Sequence, residues 1–458
     1  ADAGRRPARD DDGPTHRARA DPPEPVEGMP ADDTSVDADE GTEPGTTGTG
    51  TSSAGAAYGG GQLATLVGRD DVLRESRDRQ VLIVGDTTVG RVLTGLLRRA
   101  GYDPVLAATS AGSVEPTASI VDAGAFDVLG AAGVADRVRE RGTEIAAVSS
   151  TWPREDEGEP ASSVVRLPPD RARPVVIETT TIRRLVDAEC GTPRAATDRT
   201  VDAIVRAEDG VEVAFENGVR EWFDVVVDVA GAGLSQGTSA PCRETASLLQ
   251  YETRLAARPD AAGDAAAQLR DVWTEDGLVQ WVPVHDGTAT LLRVTTHASE
   301  RCRELPAVAV GDRLPEDVAG VSTALADVEP SEVRQRRPDA DGALPGAWGR
   351  GRVMRCGVAA SPVAPATGLA LSRGIADAAA VVTALTRSRG SIEATVDAYA
   401  ADRERATATA RPERPLGDVD DATPGGSSSA VADDGLRALA TDRRTALAAI
   451  RASSRPTE

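Results

Sequence analysis

The stretch from Arg79 to Leu106, RQVLIVGDTTVGRVLTGLLRRAGYDPVL, constrains the fold more than any other part of the chain. The apolar run Val81 to Val84 ends at Gly85, and after Gly90 apolar residues recur at helical spacing. A second apolar segment, Pro104 to Ala107, follows. The pattern predicts a strand, a tight turn, a helix and a second strand, which together make a βαβ unit. Such a unit directs the free N–H groups of the turn and the positive end of the helix dipole at an anion.

The glycines of this turn match the dinucleotide fingerprint G-x-G-x-x-G only in part. The three glycine places hold Gly85, Thr87 and Gly90. The second strand runs from Leu106 to Thr109 without the acidic residue that would hold the ribose hydroxyls. Because a fold does not carry its function with it, a dinucleotide site and an empty βαβ scaffold both remain open on this stretch alone.

The charge of the chain bears on its partners. The net charge is -22, and all 51 basic residues are arginine. A surface this acidic does not attract nucleic acid or an anionic membrane, so neither is expected as a partner. The sequence shows no apolar run long enough to span a bilayer and no signal peptide, which predicts a cytoplasmic location. Four widely spaced cysteines show no metal-ligand spacing, so buried thiols are predicted: Cys190, Cys242, Cys302 and Cys356.

The composition also predicts a requirement for salt. An acidic, lysine-free chain with few aromatic residues is typical of proteins from salt-loving archaea. In molar salt the Debye length falls to ~3 Å, so repulsion between surface carboxylates is mostly screened. We expect the protein to unfold when it is dialysed from molar salt into dilute buffer. Circular dichroism followed during the dialysis measures this, and an unchanged spectrum in dilute buffer would contradict it.

Composition and periodicity divide the chain into five segments. Residues 1–62 have almost nothing to bury, so a disordered acidic tail is predicted there. Residues 63–239 begin with a short helical pattern and contain the βαβ unit, and residues 240–345 contain scattered short strands that predict a mainly antiparallel sheet. Residues 346–411 carry a strand, a turn and two helices, Gly368 to Arg387 and Ile392 to Thr409. Residues 412–458 form a low-complexity tail with one amphipathic stretch, near Leu436 to Ile450.

Within residues 63–239 the pattern predicts further elements. A short strand and a helix lie between residues 174 and 190, and a charged loop is predicted for Pro153 to Pro160. The stretch from Ala195 to Val229 alternates apolar and polar residues around Asp209-Gly210 and Asn217-Gly218. These two dipeptides are strong hairpin signals, so the stretch predicts an antiparallel meander that ends in a buried strand.

The order of these pieces resembles the FAD-dependent aromatic hydroxylases of the p-hydroxybenzoate hydroxylase type, with flavin halogenases and geranylgeranyl reductases as relatives. The resemblance covers about Gln80 to Ala410 and is closest from Cys356 to Ala378, where Gly357, Ala359, Ala360 and Pro362 fall on the family's late motif. It implies an α/β fold: a Rossmann-like FAD-binding domain, formed by residues 63–239 and 346–411, with the mainly antiparallel substrate sheet inserted between them.

The resemblance also implies the cofactor site. By position the FAD-binding residues are Gly85, Thr87, Gly90, Gly231, Gly357, Val358, Pro365 and Gly368. Several side chains depart from the family pattern. Val358 and Ala230 replace aspartates, Ser361 replaces a histidine, Ala370 replaces a glycine, and the family's flavin-contacting arginine falls near Thr179. The residues that shape the backbone are kept, whereas those that contact FAD are lost. Each lost hydrogen bond costs about 0.5–1.5 kcal/mol, so weakened FAD binding is expected.

The function implied by the resemblance is that of a flavoprotein monooxygenase. Reduced nicotinamide, NAD(P)H, would be the electron donor, and a small apolar or aromatic substrate would lie on the inserted sheet. The cofactor carries such chemistry while the protein supplies position and a dry cavity, so no catalytic triad is sought. A degenerate relative acting as a binding or regulatory protein remains the alternative. A plain nicotinamide-dependent enzyme is disfavoured, because it does not explain the late turn and helix.

Other residues carry two interpretations each. His285 and His297 could face a substrate, but a histidine in a strand is more often structural or exposed. Trp281 with Pro283 could line a cavity, with core packing at least as plausible. Asp228 could stand in for the acid missing at Ala230, whereas a satisfied carboxylate at a strand end is the simpler interpretation.

Overall fold

The computed structural model describes most of the chain after residue 78. The described residues are 79–109, 115–152, 161–167, 173–191, 195–207, 209–231, 245–256, 267–274, 276–285, 289–304, 321–336, 348–361, 365–368, 370–388, 390–409, 439–440, 443 and 447. The tail predicted for residues 1–62, the helical pattern after it and the loop from Pro153 to Pro160 lie outside this range. Among the described helices, none has the length and apolar character needed to cross a membrane.

The elements follow one another from residue 81 to residue 409. Up to residue 228 they are β1 (Val81–Val84), α1 (Thr88–Arg99), β2 (Val105–Thr109), β3 (Ala118–Val121), α2 (Ala123–Ala131), α3 (Ala135–Arg141), β4 (Thr143–Glu144), β5 (Ala147–Trp152), β6 (Ala161–Arg166), β7 (Val175–Glu178), α4 (Thr179–Cys190), β8 (Ala195–Arg206), β9 (Val211–Phe215), β10 (Arg220–Phe223) and β11 (Val225–Asp228). After residue 244 they are β12 (Thr245–Ala256), β13 (Gln268–Trp273), β14 (Gly277–Val284), β15 (Ala289–His297), α5 (Glu300–Glu304), α6 (Val321–Leu325), β16 (Ser331–Arg336), β17 (Gly349–Arg350), β18 (Val353–Arg355), α7 (Ala370–Arg387) and α8 (Ile392–Thr409).

The first sheet has eight strands in the order β10-β9-β8-β2-β1-β11-β18-β17. Strands β8, β2, β1, β11 and β18 are parallel to their neighbours in this run, and β8, β9 and β10 form an antiparallel meander. All four residues of β1 and of β11 are buried, as expected for central parallel strands. The βαβ unit and the meander predicted from the sequence are confirmed. Because β1, β11 and β18 are parallel, their carboxyl ends lie at one edge of the sheet.

The second sheet has seven strands in the order β16-β12-β15-β14-β13-β5-β6. Five of these come from the segment predicted to hold an inserted antiparallel sheet. The other two, β5 and β6, come from earlier in the chain, and β5 pairs in parallel with β13. The sheet is therefore not confined to residues 240–345, because edge pairing with β13 adds strands that the sequence order assigned to the first segment. A third, small sheet has the order β3-β7-β4.

Helices cover one face of the first sheet. α1 packs against α4 and α7, and their apolar side chains join those of β1 and β11 in the largest core cluster. α7 begins at Ala370, two residues later than the predicted start at Gly368, since a short 3₁₀ turn, Pro365–Thr367, precedes it. α8 has the predicted bounds.

The C-terminal segment contributes to the core. Leu439 and Ala440 are fully buried beside Trp152, Trp273 and other residues of the second sheet. Arg443 is also fully buried, and Leu447 packs at a neighbouring cluster. The amphipathic stretch predicted within a low-complexity tail is thus a packed part of the fold at these positions.

Candidate cofactor site

Gly85 follows β1 at the carboxyl edge of the first sheet and is the first residue of the cofactor turn, which we define as Gly85 to Gly90. Its φ is +121°, and its N–H donates to the carbonyl of Ala107 at 2.8 Å. A Cβ atom on Gly85 would lie 2.8 Å from the Cβ of Ala230, and one on Gly90 would lie 2.4 Å from the Gly85 carbonyl oxygen. Both glycines are therefore required by close packing, because a side chain at either place would push the turn from its neighbours.

Thr87 is the N-cap residue of α1. Its hydroxyl accepts a hydrogen bond from the N–H of Gly90 at 3.0 Å, and the residue is buried. A threonine is a good N-cap because its oxygen satisfies one of the free N–H groups of the first turn. Thr87, which replaces the second glycine of the fingerprint, therefore has its hydroxyl occupied in capping α1.

Two further turns meet the cofactor turn at this edge. The middle turn, Val229 to Gly231, follows β11, and the late turn, Gly357 to Ala360, follows β18 and Cys356. Gly231 has φ +69°, and a Cβ atom there would lie 3.2 Å from the Cα of Ala359. Gly357 has φ +59° and lies against Gly374 of α7. The structure thus brings Gly85, Thr87, Gly90, Gly231, Gly357 and Val358 into one region.

The other residues predicted to bind the cofactor are Val358 in the late turn and Pro365 and Gly368 after it. Val358 is 38% exposed, whereas its neighbours Ala359 and Ala360 are buried. The side chain that replaces the family's aspartate therefore faces outward at the late turn. Gly368 lies beside Ile120 and Arg443, and Pro365 begins the 3₁₀ turn that leads to it.

Asp228 is a satisfied carboxylate at the end of β11. One of its oxygens accepts hydrogen bonds from the N–H groups of Ala230 and Gly231, both at 3.0 Å. Burial raises the pKa of Asp228, and these two N–H donors oppose that rise. The carboxylate shapes the middle turn, so the simpler of its two interpretations is the one that the contacts support.

An ion-pair network covers the start of α1. Glu115 accepts the N–H of Thr88 at 2.7 Å through one oxygen and contacts Arg183 at 3.1 Å through the other. Arg183 also reaches Asp86 at 2.9 Å, and Arg91 pairs with Asp86 at 2.7 Å and with Asp187. The hydrogen bond with Asp86 raises the pKa of Arg91, although burial opposes that rise. Glu115 was not predicted from the sequence, because this residue lies between β2 and β3 and belongs to no recognised motif.

A second buried polar group links the 3₁₀ turn to the second sheet. The guanidinium of Arg443 pairs with Asp271 at 2.8 Å and donates to the carbonyl of Thr367 at 2.9 Å. Gln280 donates to both Asp271 and the carbonyl of Ala366. Arg443 and Gln280 therefore join the 3₁₀ turn to Asp271 of the second sheet.

Trp281 of the second sheet and His285, which follows β14, have structural surroundings. Trp281 is 8% exposed, belongs to a core cluster and lies under the guanidinium of Arg270. His285 has φ +52° and lies 3.3 Å from a carboxylate oxygen of Glu178. Core packing accounts for Trp281, and the contact with the Glu178 carboxylate accounts for His285.

Comparisons with known proteins identify the domain. Residues 78–229 match the family model described as the FAD binding domain. A structure of Klebsiella pneumoniae HpxO complexed with FAD and uric acid is similar, with 17% identity, 81% of this chain and 97% of that chain covered, and a TM-score of 0.57. Pseudomonas aeruginosa PqsL in complex with 2-aminobenzoylacetate gives 22% identity, 72% and 93% coverage, and a TM-score of 0.56. A comparison with curated protein sequences finds no significant match.

Residues 78–229 therefore match an FAD-binding domain, and the fold of the chain is similar to the folds of HpxO and PqsL. The likeness extends to tetracycline destructase Tet(51), with 13% identity, 83% and 100% coverage, and a TM-score of 0.55. Since these identities are low, the solved structures establish the architecture, and the family match establishes FAD as the cofactor for which the domain is built.

Two observations test whether the residues present suit FAD. The glycine turns lie together at the carboxyl edge of the parallel strands, which is where cofactors bind in open α/β sheets. The carboxylate of Glu115, however, accepts a hydrogen bond from the N–H of Thr88 at the start of α1. In dinucleotide-binding folds this end of the helix faces the diphosphate. The arrangement of the three turns agrees with an FAD-binding domain, whereas the negative charge of Glu115 at the diphosphate end does not suit the cofactor.

Proposed function

We propose that the protein is an FAD-dependent oxidoreductase of the aromatic hydroxylase type whose flavin binding is weakened. The observation that carries the proposal is the meeting of the cofactor, middle and late turns in one region, with Gly85, Gly90, Gly231 and Gly357 in place. The weakening follows from the side chains: Val358 and Ala230 carry no hydrogen-bonding group, and Glu115 places a negative charge at the start of α1.

The substrate proposed is a small apolar or aromatic molecule, with NAD(P)H as the electron donor. HpxO and PqsL are seen with uric acid and 2-aminobenzoylacetate, which are small ring compounds. A cytoplasmic location is part of the proposal. It is supported by the free thiols of Cys190, Cys302 and Cys356, because unpaired cysteines are typical of a reducing compartment.

A second candidate function is that of a catalytically degenerate relative that binds a partner or regulates an active enzyme. The specific observation in its favour is the hydrogen bond from Thr88 to Glu115, because an internal carboxylate already satisfies a donor of the cofactor turn. Purification in high salt separates the two functions. A yellow protein that releases one FAD per chain supports the oxidoreductase, whereas a protein that stays colourless with added FAD supports the degenerate relative.

Restoring two carboxylates tests the cofactor positions. We expect Val358→Asp combined with Ala230→Asp to raise FAD affinity about tenfold or more, because each restored hydrogen bond contributes about 0.5–1.5 kcal/mol. The measurement is a fluorescence titration of FAD in high salt. The matched control is Val164→Asp, which adds a carboxylate on an exposed position of β6. Unchanged affinity in the double variant would show that these two positions do not face the cofactor.

A further inference from the structure

The start of α1 has little free hydrogen-bonding capacity. An α-helix leaves its first N–H groups without partners inside the helix, and these groups bind anions in dinucleotide folds. Here the N–H of Thr88 donates to Glu115 at 2.7 Å, and that of Gly90 donates to the hydroxyl of Thr87 at 3.0 Å. The chain therefore supplies its own acceptors, and one of them is a full negative charge.

Glu115 is held in place by its neighbours. Pro116, the next residue, accepts a hydrogen bond at its carbonyl from the hydroxyl of Thr179, and Thr179 also donates its N–H to the carbonyl of Thr117 at 3.0 Å. Thr117 in turn donates to Glu252 through both its N–H and its hydroxyl. Thr179 stands where the resemblance places a flavin-contacting arginine. Thr179 therefore holds the segment that carries Glu115 through two hydrogen bonds.

The charges around the turn oppose a second anion. Three carboxylates, those of Asp86, Glu115 and Asp187, face two guanidinium groups, those of Arg91 and Arg183, which leaves one net negative charge. A diphosphate brings two more negative charges to this partly buried network. Since the repulsion between like charges is stronger there than in water, a diphosphate and the carboxylate of Glu115 exclude each other.

We propose that Glu115 is an internal anion that closes the cofactor turn, so that FAD gains the N–H of Thr88 only when Glu115 leaves it. Arg183 loses one carboxylate partner in the same movement and becomes the cation that faces the incoming diphosphate. The proposal rests on the proposed function only in naming FAD as the competing ligand. The closure itself is a property of Glu115, Thr88 and Arg183.

The experiment compares the wild-type protein with Glu115→Gln and Glu115→Ala in high salt. Titrations with FAD, followed by flavin fluorescence, and with inorganic pyrophosphate, followed by calorimetry, are run on each folded protein. We expect Glu115→Ala to raise both affinities about tenfold or more, and Glu115→Gln to raise them less, because glutamine loses the charge but keeps an acceptor. The matched control is Glu189→Gln, which removes a carboxylate paired with Arg99 and Arg137 on another part of the surface and should change neither affinity.

A third measurement reports on closure without any ligand. Amide hydrogen exchange at Thr88 is expected to be slow in the wild type and faster in Glu115→Ala, because the N–H loses its acceptor. Equal exchange rates in the two proteins would overturn the proposal, as would equal pyrophosphate affinities. Combining Arg183→Gln with Glu115→Ala is expected to abolish most of the gained pyrophosphate affinity. A retained gain would overturn the role of Arg183.

The outcomes separate this inference from the proposed function. If the Glu115 variants gain affinity for pyrophosphate but none of the proteins binds FAD, closure by Glu115 stands and the oxidoreductase function fails. If all proteins bind FAD equally well, the oxidoreductase function stands and closure by Glu115 is wrong.

Discussion

Replacing Arg443 with alanine is expected to lower the free energy of unfolding by about 3–5 kcal/mol, the cost typical of leaving one partner of a buried ion pair alone. The side chains of Arg443 and Asp271 are both 0% exposed. Without Arg443 the carboxylate of Asp271 keeps, among the described residues, only the hydrogen bond from Gln280, and the carbonyl of Thr367 loses a donor. Urea unfolding at one high salt concentration gives the change in free energy.

Two further variants show whether the loss comes from the unpaired charge. The double variant Asp271→Leu with Arg443→Met is expected to lose less stability than Arg443→Ala, because apolar side chains of similar volume need no counter-charge. Arg220→Ala removes an exposed arginine from a surface pair with Glu212 and should cost no more than about 1 kcal/mol. Equal losses in Arg443→Ala and Arg220→Ala would show that the buried pair of Arg443 and Asp271 adds no more stability than an exposed pair.

The sequence predicted well those elements whose signals are local. The helical spacing of α1 after a β-branched run, the hairpin turns at Asp209-Gly210 and Asn217-Gly218, and the bounds of α8 all depend on neighbours in the chain. The meeting of the three turns could also be predicted, because parallel β1, β11 and β18 must end at one edge of their sheet.

What the sequence did not predict depends on contacts between distant residues. Glu115 lies 27 positions from Thr88 along the chain, and Arg443 lies 172 positions from Asp271. Each is a charged residue in a polar stretch, where a solvated surface position is the usual outcome. The addition of β5 to the second sheet has the same origin, because pairing with β13 joins residues more than 100 positions apart without a turn signal.

These distant contacts affect how the departures from the FAD-binding motifs are interpreted. In the proposed function, the absence of an aspartate at Val358 and Ala230 removes hydrogen bonds to the cofactor, whereas the carboxylate of Glu115 occupies an N–H donor that a diphosphate would use. The first effect can be read from aligned motifs. The second requires the fold, because it arises where the segment before β3 crosses the start of α1.

The late turn offers the second large effect on stability. Asp377 in α7 is 1% exposed, accepts the N–H of Gly357 at 2.8 Å and pairs with Arg403 of α8. Asp377→Ala is expected to lower the free energy of unfolding by about 3–5 kcal/mol, because the buried guanidinium of Arg403 is left without its carboxylate. The N–H of Gly357 loses its acceptor at the same time, so we expect the late turn to become less ordered as the protein is destabilised.

A double-mutant cycle isolates this pair, with urea unfolding at one high salt concentration as the measurement. Arg403→Ala should cost a similar amount, and the variant with both substitutions should lose clearly less than the sum of the two, since each single change leaves one buried charge alone. Arg405→Ala, on the exposed side of the same helix, is the matched control and should cost no more than about 1 kcal/mol. Additive losses from Asp377→Ala and Arg403→Ala would mean that the two side chains do not stabilise each other. The late turn would then be held by the hydrogen bond from Gly357 to Asp377 and by packing against α7 and Gly231, without a contribution from the ion pair.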